Sequence, residues 1–222
     1  MSRLRAVRWA AWLAVAVIPL GCQQGMGWLA WVTAFPETVK PVYKLPEGKK
    51  VLVFTDDVLN PLAYQPIKGE LSKRLNEQLT QKKVAASVVP YDTFVTWASK
   101  TENLERLSVA EVGRALGADL VLYVHVDRLR LKEDERSTLW RGELTTTVRV
   151  VDVQAGRLWP QDRPEGYPVP QVETPTVDDP SPEYGEEVAR QLADAMSEAI
   201  VNLFCEHTVP GGTPPPPPGE RP

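Results

Sequence analysis

Two neighbouring carboxylates are the clearest candidate for chemistry in this sequence of 222 residues. Asp56 and Asp57 follow the apolar run Val51–Phe54, which predicts a strand buried on both faces. Open α/β sheets bind ligands at the carboxyl ends of their strands, and paired carboxylates there can hold Mg²⁺. A receiver-like or phosphatase-like site also needs another acid and a lysine at other strand ends, and the sequence gives no sign of them. We therefore expect both aspartates to bond local backbone amides in a loop, with ligand binding as the alternative.

The cysteines and histidines form no catalytic or metal-binding pattern. Cys205 and His207 flank one residue at the end of a predicted helix, where such near neighbours point apart. His125 lies in a predicted strand with no cysteine or second histidine nearby, so we expect it to be hydrogen-bonded or exposed. The chain also lacks the Gly-x-Ser-x-Gly and His-Glu-x-x-His motifs. We predict a protein that is not an enzyme and has no catalytic residue, metal or cofactor.

The overall charge argues against nucleic acid as a partner. The sequence has 25 Lys and Arg residues against 29 Asp and Glu, which gives a formal net charge of −4. Nucleic-acid-binding domains usually carry a basic surface instead. Two cysteines exclude both a disulfide-dense scaffold and a four-cysteine zinc site.

The N-terminus has the pattern of an export signal. Arg3, Arg5 and Arg8 precede the mostly apolar run Trp9–Leu20. That run is shorter than the roughly 20 apolar residues that a transmembrane helix needs, and it has the length of the apolar part of a signal peptide. Pro19 near its end breaks a helix ahead of the cleavage zone.

The run ends in Pro19-Leu20-Gly21-Cys22, which resembles the lipobox of bacterial lipoproteins. In that family a signal peptide is removed just before the cysteine, which receives lipid and becomes the mature N-terminus. The resemblance implies that residues 1–21 are a signal peptide and that Cys22 is the lipidation site, with palmitate among its acyl chains. Cys205 is then left without an intrachain partner. Gln23 is not an aspartate-type retention signal, which favours the outer membrane and its periplasmic face.

Two other interpretations of the N-terminus stay open. In the first, Cys22 is a chance cysteine after an ordinary signal peptide. In the second, Trp9–Phe35 forms one uncleaved membrane span, although Pro19 and the polar pair Gln23-Gln24 interrupt it.

Composition divides the rest of the chain. We assign residues 22–47 to a lipidated N-terminus and tether, residues 48–207 to an α/β domain, and residues 208–222 to a disordered polyproline tail. Within the domain, residues 160–183 form a proline-rich acidic loop.

The loop has two open interpretations. Val169 and Val172 are isolated among Pro, Glu and Asp, so the segment has almost no aliphatic residues to bury. It is either an exposed, partner-facing loop whose edges are anchored by Tyr167 and Tyr184, or a solvated spacer.

Hydrophobic periodicity predicts the order β-α-β-α-β-β-β-loop-α. Ser108 and Glu111 form a capping box that begins a helix. A helix with one apolar face is indicated by a repeat of four residues at Ile67, Leu71, Leu75 and Leu79. We expect Leu192, Met196 and Leu203 to pack the last helix on the sheet. The predicted strands are Val51–Phe54, Val84–Val89, Asp119–Leu131, Leu139–Val153 and Arg157–Trp159, and the further predicted helices are Tyr91–Ala98, Ser108–Leu116 and Glu186–Glu206.

These elements predict an α/β (α+β) fold. It is a single domain with a central mixed sheet that has a β-α-β start, an antiparallel meander and a C-terminal amphipathic helix. Gly117-Ala118-Asp119 before a strand, and Val151–Gly156 at a hairpin, are similar to the envelope domains of the curli-secretion lipoprotein and TolB N-terminal types. The resemblance covers roughly residues 49–205 and concerns structural motifs.

We predict a non-catalytic, membrane-anchored envelope lipoprotein that acts as an assembly or accessory subunit and binds another envelope component. Its predicted partners are the membrane, through the lipid on Cys22, and an unidentified envelope protein. The alternative is an envelope ligand-binding or metal-binding protein, or a hydrolase, that uses Asp56 and Asp57.

Overall fold

The computed structural model describes residues 37–56, 66–132, 134 and 136–209. These residues belong to two compact units, of which the larger is Lys40–Glu206. The described part of the smaller unit is an antiparallel pair of strands, β1 (Glu37–Val39) and β10 (His207–Val209). Strand β10 includes two residues that the composition assigns to the disordered tail.

Several predicted features lie outside the described residues. These are the signal peptide, the lipidation site Cys22, the carboxylate of Asp57 and the run of five prolines near the C-terminus. Within the described part of the chain, no helix has the length and apolar character that a membrane crossing requires.

The larger unit contains four helices and eight strands among its described residues, together with a 3₁₀ turn at Leu104–Arg106. The helices are α1 (Pro66–Gln81), α2 (Tyr91–Ala98), α3 (Val109–Ala115) and α4 (Tyr184–Asn202). The strands are β2 (Lys50–Asp56), β3 (Ser87–Val88), β4 (Leu120–Lys132), β5 (Leu139–Asp152), β6 (Gly156–Trp159), β7 (Tyr167–Pro168), β8 (Val172–Glu173) and β9 (Val177–Asp178).

One mixed sheet organises this unit and confirms the predicted fold class. Its strand order is β3-β2-β4-β5, and β6 to β9 pair in turn with the outer edge of β5. Strand β2 runs parallel to both neighbours, whereas β5 runs antiparallel to β4 over nearly its whole length. The parallel register aligns Phe54 with Tyr123 and Asp56 with His125.

Helices α1 and α4 cover one face of the sheet and form the main core. The predicted apolar side of α1 is fully buried, and Leu192 and Met196 of α4 have no exposed surface. Leu203, just after α4, is 8% exposed, so the predicted packing of the last helix is confirmed. At Gly142 of β5 an added Cβ would lie 2.6 Å from Val188, so the glycine lets α4 approach the sheet closely.

The second face of the sheet is covered only in part. Leu52, Val112 and Val121 form a smaller core there, under α2, the 3₁₀ turn and α3. The predicted capping box begins α3: the hydroxyl of Ser108 accepts from the amide of Glu111, whose carboxylate accepts from the amide of Ser108. Beyond this cover the second face carries polar side chains.

The prediction of a strand at Val84–Val89 is wrong for its first half. The amide of Val84 donates to the carbonyl of Leu79 at 2.9 Å, and Lys83 has a φ of 54°, in the left-handed region. This geometry ends α1 by satisfying one of its last carbonyls, so only Ser87–Val88 remains to pair with β2.

The unit is also larger at its N-terminal end than predicted. The carbonyl of Leu203 accepts hydrogen bonds from the amides of Val42 and Tyr43, at 2.8 and 3.0 Å. The Tyr43 ring stacks on Trp159 with 5.5 Å between centroids, and Leu45 is buried. Part of the predicted tether is therefore packed, and α4 ends before the predicted Glu206.

The proline-rich segment is a broken edge strand that pairs with β5, a pairing that neither the exposed-loop nor the spacer interpretation includes. The amides of Val169 and Thr174 donate to carbonyls of β5 at 2.9 and 3.0 Å, and the amide of Asp179 donates to the carbonyl of Thr138, just before β5, at 3.0 Å. Each of these residues is followed by a proline. The predicted anchors are in place, because Tyr167 stacks on Trp159 at 4.8 Å and Tyr184 contacts Trp140 at 6.1 Å.

Candidate functional site

A cleft of about 410 Å³ lies where the helical cover of the second sheet face ends. Its volume falls in the range of small-ligand sites. We call it the aromatic cleft. Among its lining residues are Phe54, Asp56, Lys68, Phe94, Glu105 and Tyr123.

The sheet topology explains why these residues meet. Side chains alternate along a strand, so Phe54 and Asp56 of β2 lie on the same face. The parallel register puts Tyr123 and His125 of β4 beside them, at the carboxyl ends of both strands. This is the edge at which open α/β sheets place their ligands. Helix α2, which follows β3, brings Phe94 over the same edge.

Three rings form the apolar wall of the cleft. Phe54 lies 5.5 Å from Phe94 and 5.8 Å from Tyr123 between ring centroids, with interplanar angles of 48° and 75°. Tyr91 continues the row, 6.3 Å from Phe94. The rings are therefore inclined to one another and pack in direct contact.

Helix α2, which supplies two of these rings, has no buried residue. Phe94 and Trp97 are half-buried, and Val95 is 42% exposed. An amphipathic helix of a globular protein normally buries its apolar side. Helix α2 therefore leaves part of its apolar surface accessible.

A hydrogen bond between Tyr123 and Asp56 forms the polar side of the cleft. The hydroxyl of Tyr123 donates to Oδ2 of Asp56 at 2.8 Å. Burial raises the pKa of Tyr123 well above its usual range, and the hydrogen bond to Asp56 acts in the same direction. Arg149, whose guanidinium lies 5.0 Å from the centre of the ring, opposes this shift. Tyr123 is therefore a neutral donor to Asp56.

The floor of the cleft is fixed by a buried polar contact. The hydroxyls of Thr55 on β2 and Ser72 on α1 lie 2.8 Å apart and share a hydrogen bond. This contact ties α1 to the strand that carries Asp56.

The site residues predicted from the sequence have different outcomes. Asp56 is the last residue of β2 and lines the cleft, so the prediction of a loop aspartate is wrong for this residue. Among the described residues, no three or more His, Cys, Asp or Glu side chains are grouped so as to hold a metal ion.

His125 has a polar contact at one ring nitrogen and none, among the described residues, at the other. Its side chain is 15% exposed, and within the described part of the chain its Nδ1 has no hydrogen-bond partner. Its Nε2 lies 3.8 Å from Asp127.

The aromatic residues of the cleft are missed by sequence reasoning. A usable signal is the spacing of Tyr91, Phe94 and Trp97, which puts three aromatic rings along one side of a predicted helix. Cys205 follows α4, and burial raises the pKa of its thiol, so it is not an activated nucleophile.

No protein-family model matches the chain, and no curated protein sequence matches it. Solved structures with a similar chain path include a PelC dodecamer from Paraburkholderia phytofirmans, with 18% identity, a TM-score of 0.41 and coverage of 74% of this chain and 95% of that chain. Lipoprotein GNA1162 from Neisseria meningitidis has 14% identity, a TM-score of 0.42 and coverage of 71% and 99%. TolB from Acinetobacter baumannii has 13% identity, a TM-score of 0.27 and coverage of 76% and 30%. No function passes to this chain from that likeness.

Proposed function

We propose that this chain is a non-catalytic envelope lipoprotein, anchored by lipid on Cys22, whose larger unit binds another envelope component at helix α2. The observation that carries the binding role is the surface of α2, which has no buried residue and exposes Val95. Such a helix has apolar surface that a partner can cover.

The anchor rests on the order of basic residues, apolar run and Gly21-Cys22. A single acyl chain binds a membrane only weakly, so a stable anchor on Cys22 needs a second acyl chain or another membrane signal. Mass spectrometry of the mature protein should find an acylated Cys22 at its N-terminus. An unmodified Cys22, or cleavage elsewhere, contradicts the anchor.

The binding role is tested by a crosslinking pull-down from the native envelope. Val95→Glu puts a charge on the exposed apolar surface of α2 and should lose the captured protein. Val42→Glu is the matched control, because Val42 has a similar exposed fraction, 49% against 42%, but lies away from α2. Equal capture by both variants and the wild type contradicts a partner at α2.

The second candidate is the metal-binding or hydrolytic role of Asp56 and Asp57. It is favoured by the position of Asp56 in a cleft at the carboxyl end of β2. Calorimetric titration with Mg²⁺ tests this role: heat that disappears in Asp56→Ala supports it, and the absence of heat in the wild type contradicts it.

A further inference from the structure

We propose that the aromatic cleft binds an organic ammonium group, held by the faces of Phe54, Phe94 and Tyr123 and by the carboxylate of Asp56. The inference goes beyond the proposed function, because it assigns a small ligand to the cleft. It concerns the cleft itself, whereas the pull-down concerns the outer surface of α2.

The rings supply the first half of the site. An aromatic face attracts a cation within about 6 Å of its centre, and several faces around one point recognise alkylated ammonium groups. Phe54 contacts both of the other rings, with 5.5 Å between its centroid and that of Phe94 and 5.8 Å to that of Tyr123, and all three rings line the cleft. Their planes are inclined by 48° and 75°, so the rings line a corner and do not form a parallel stack.

The charges supply the second half. Asp56 and Glu105 line the cleft, and Lys68 is the positive side chain among the described lining residues. The described lining residues therefore carry one negative charge in excess, and Arg149 lies beside them, 5.0 Å from the centre of the Tyr123 ring. Tyr123 keeps its proton and donates a hydrogen bond to Asp56, so its ring stays neutral and its hydroxyl fixes the direction of the carboxylate.

An organic cation fits this lining better than a metal ion or an anion. Mg²⁺ and Ca²⁺ need six or more oxygen ligands, while most of the wall consists of carbon. An anion would have to approach the carboxylates of Asp56 and Glu105. An alkylammonium group is weakly hydrated, so its transfer from water to an aromatic wall costs less.

The test compares choline with dimethylbutanol, its neutral carbon analogue, by calorimetry and by amide shifts of α2 in the mature protein. Choline should bind about tenfold more tightly than dimethylbutanol, because the two differ in charge and hardly in shape. The lysine analogue N-acetyl-lysine amide tests whether a primary ammonium group is accepted as well. Equal binding of choline and dimethylbutanol, or no binding of choline, overturns the proposal.

Three variants sharpen the result. Asp56→Asn should weaken choline binding severalfold, whereas Asp92→Asn on the outer side of α2 removes the same charge and should leave it unchanged. Lys68→Gln should strengthen choline binding, since it removes the opposing charge. Inorganic phosphate that binds wild type and is lost in Lys68→Gln, while choline does not bind, would show an anion site and overturn the proposal.

The outcomes separate this inference from the proposed function. If choline fails to bind but Val95→Glu still loses its captured protein, the ammonium site is wrong and the binding surface stands. If choline binds but Val95→Glu captures the same proteins as wild type, the partner surface is wrong and the ligand site stands.

Discussion

The two faces of the sheet differ in how much of their helical cover is buried. Helix α4 on the first face carries a continuous row of buried residues, and α1 beside it is equally well packed. Helix α2 on the second face has none, although its composition is more apolar than that of α4. We infer that the first face stabilises the unit, and that the second face retains apolar surface for binding.

The largest expected difference comes from truncating one buried and one exposed side chain. Leu192→Ala on α4 should lower the free energy of unfolding by about 2–5 kcal/mol, because it leaves a cavity in the main core. Val95→Ala on α2 should change it by less than about 0.5 kcal/mol. Denaturant unfolding of both variants measures this difference in unfolding free energy. Equal unfolding midpoints for the two variants would contradict the assignment of the stabilising core to the first face.

Substitution of Gly142, the glycine that lets α4 pack closely on the first face, should lower stability nearly as much as Leu192→Ala. In Gly142→Ala the new Cβ would lie 2.6 and 2.7 Å from atoms of Val188 and Leu192, so one of the two must move. We expect a loss of about 1–3 kcal/mol from overpacking. A thermal scan of this variant should show a lowered Tm, and an unchanged Tm would contradict the close packing of α4 on β5.

The proline-rich segment should contribute to the stability of the unit, as the first face of the sheet does. The buried amide of Gly142 donates to the hydroxyl of Thr174 at 2.8 Å. Thr174→Val keeps the shape but leaves that amide without its acceptor, which should cost about 1–3 kcal/mol. Thr176→Val, at an exposed position of the same segment, is the control. If both variants unfold like the wild type, the segment is only a spacer.

The smallest effect is a pH dependence located in the cleft. Burial and the bond to Asp56 raise the pKa of Tyr123 above the ordinary value of 10.0, so above pH 10 the unfolded chain loses a proton that the folded chain keeps. This contribution to stability is complete below pH 10 and declines as the pH rises further. The wild type should therefore lose stability from about pH 10 upward more steeply than Tyr123→Phe. Parallel curves for the two proteins would contradict the hydrogen-bonded, neutral tyrosine.

The sequence predicts the elements whose signal is local. The spacing of Ile67 to Leu79, the capping box at Ser108 and the apolar side of α4 each involve residues a few positions apart, so one helix or strand accounts for each pattern. The broken edge has no such pattern, because β7, β8 and β9 are two residues long and separated by prolines.

The cleft could be predicted only in part. Asp56 is identified by its place after a strand. The rings around it, Phe54, Phe94 and Tyr123, are far from one another in the sequence. Their meeting depends on the parallel register of β2 and β4, which no local pattern specifies. The shortened β3 is missed for the same reason, since Leu79 takes the amide of Val84 that a strand would have used.

The most direct test of a partner at the second face is photo-crosslinking from single positions in the native envelope. A benzoylphenylalanine would replace Val42, Val95 or Leu139, three large apolar residues that are each more than 40% exposed. The account predicts a protein adduct from position 95 and none from positions 42 and 139. Adducts of equal yield from all three positions, or an adduct from position 42 or 139 alone, would contradict it.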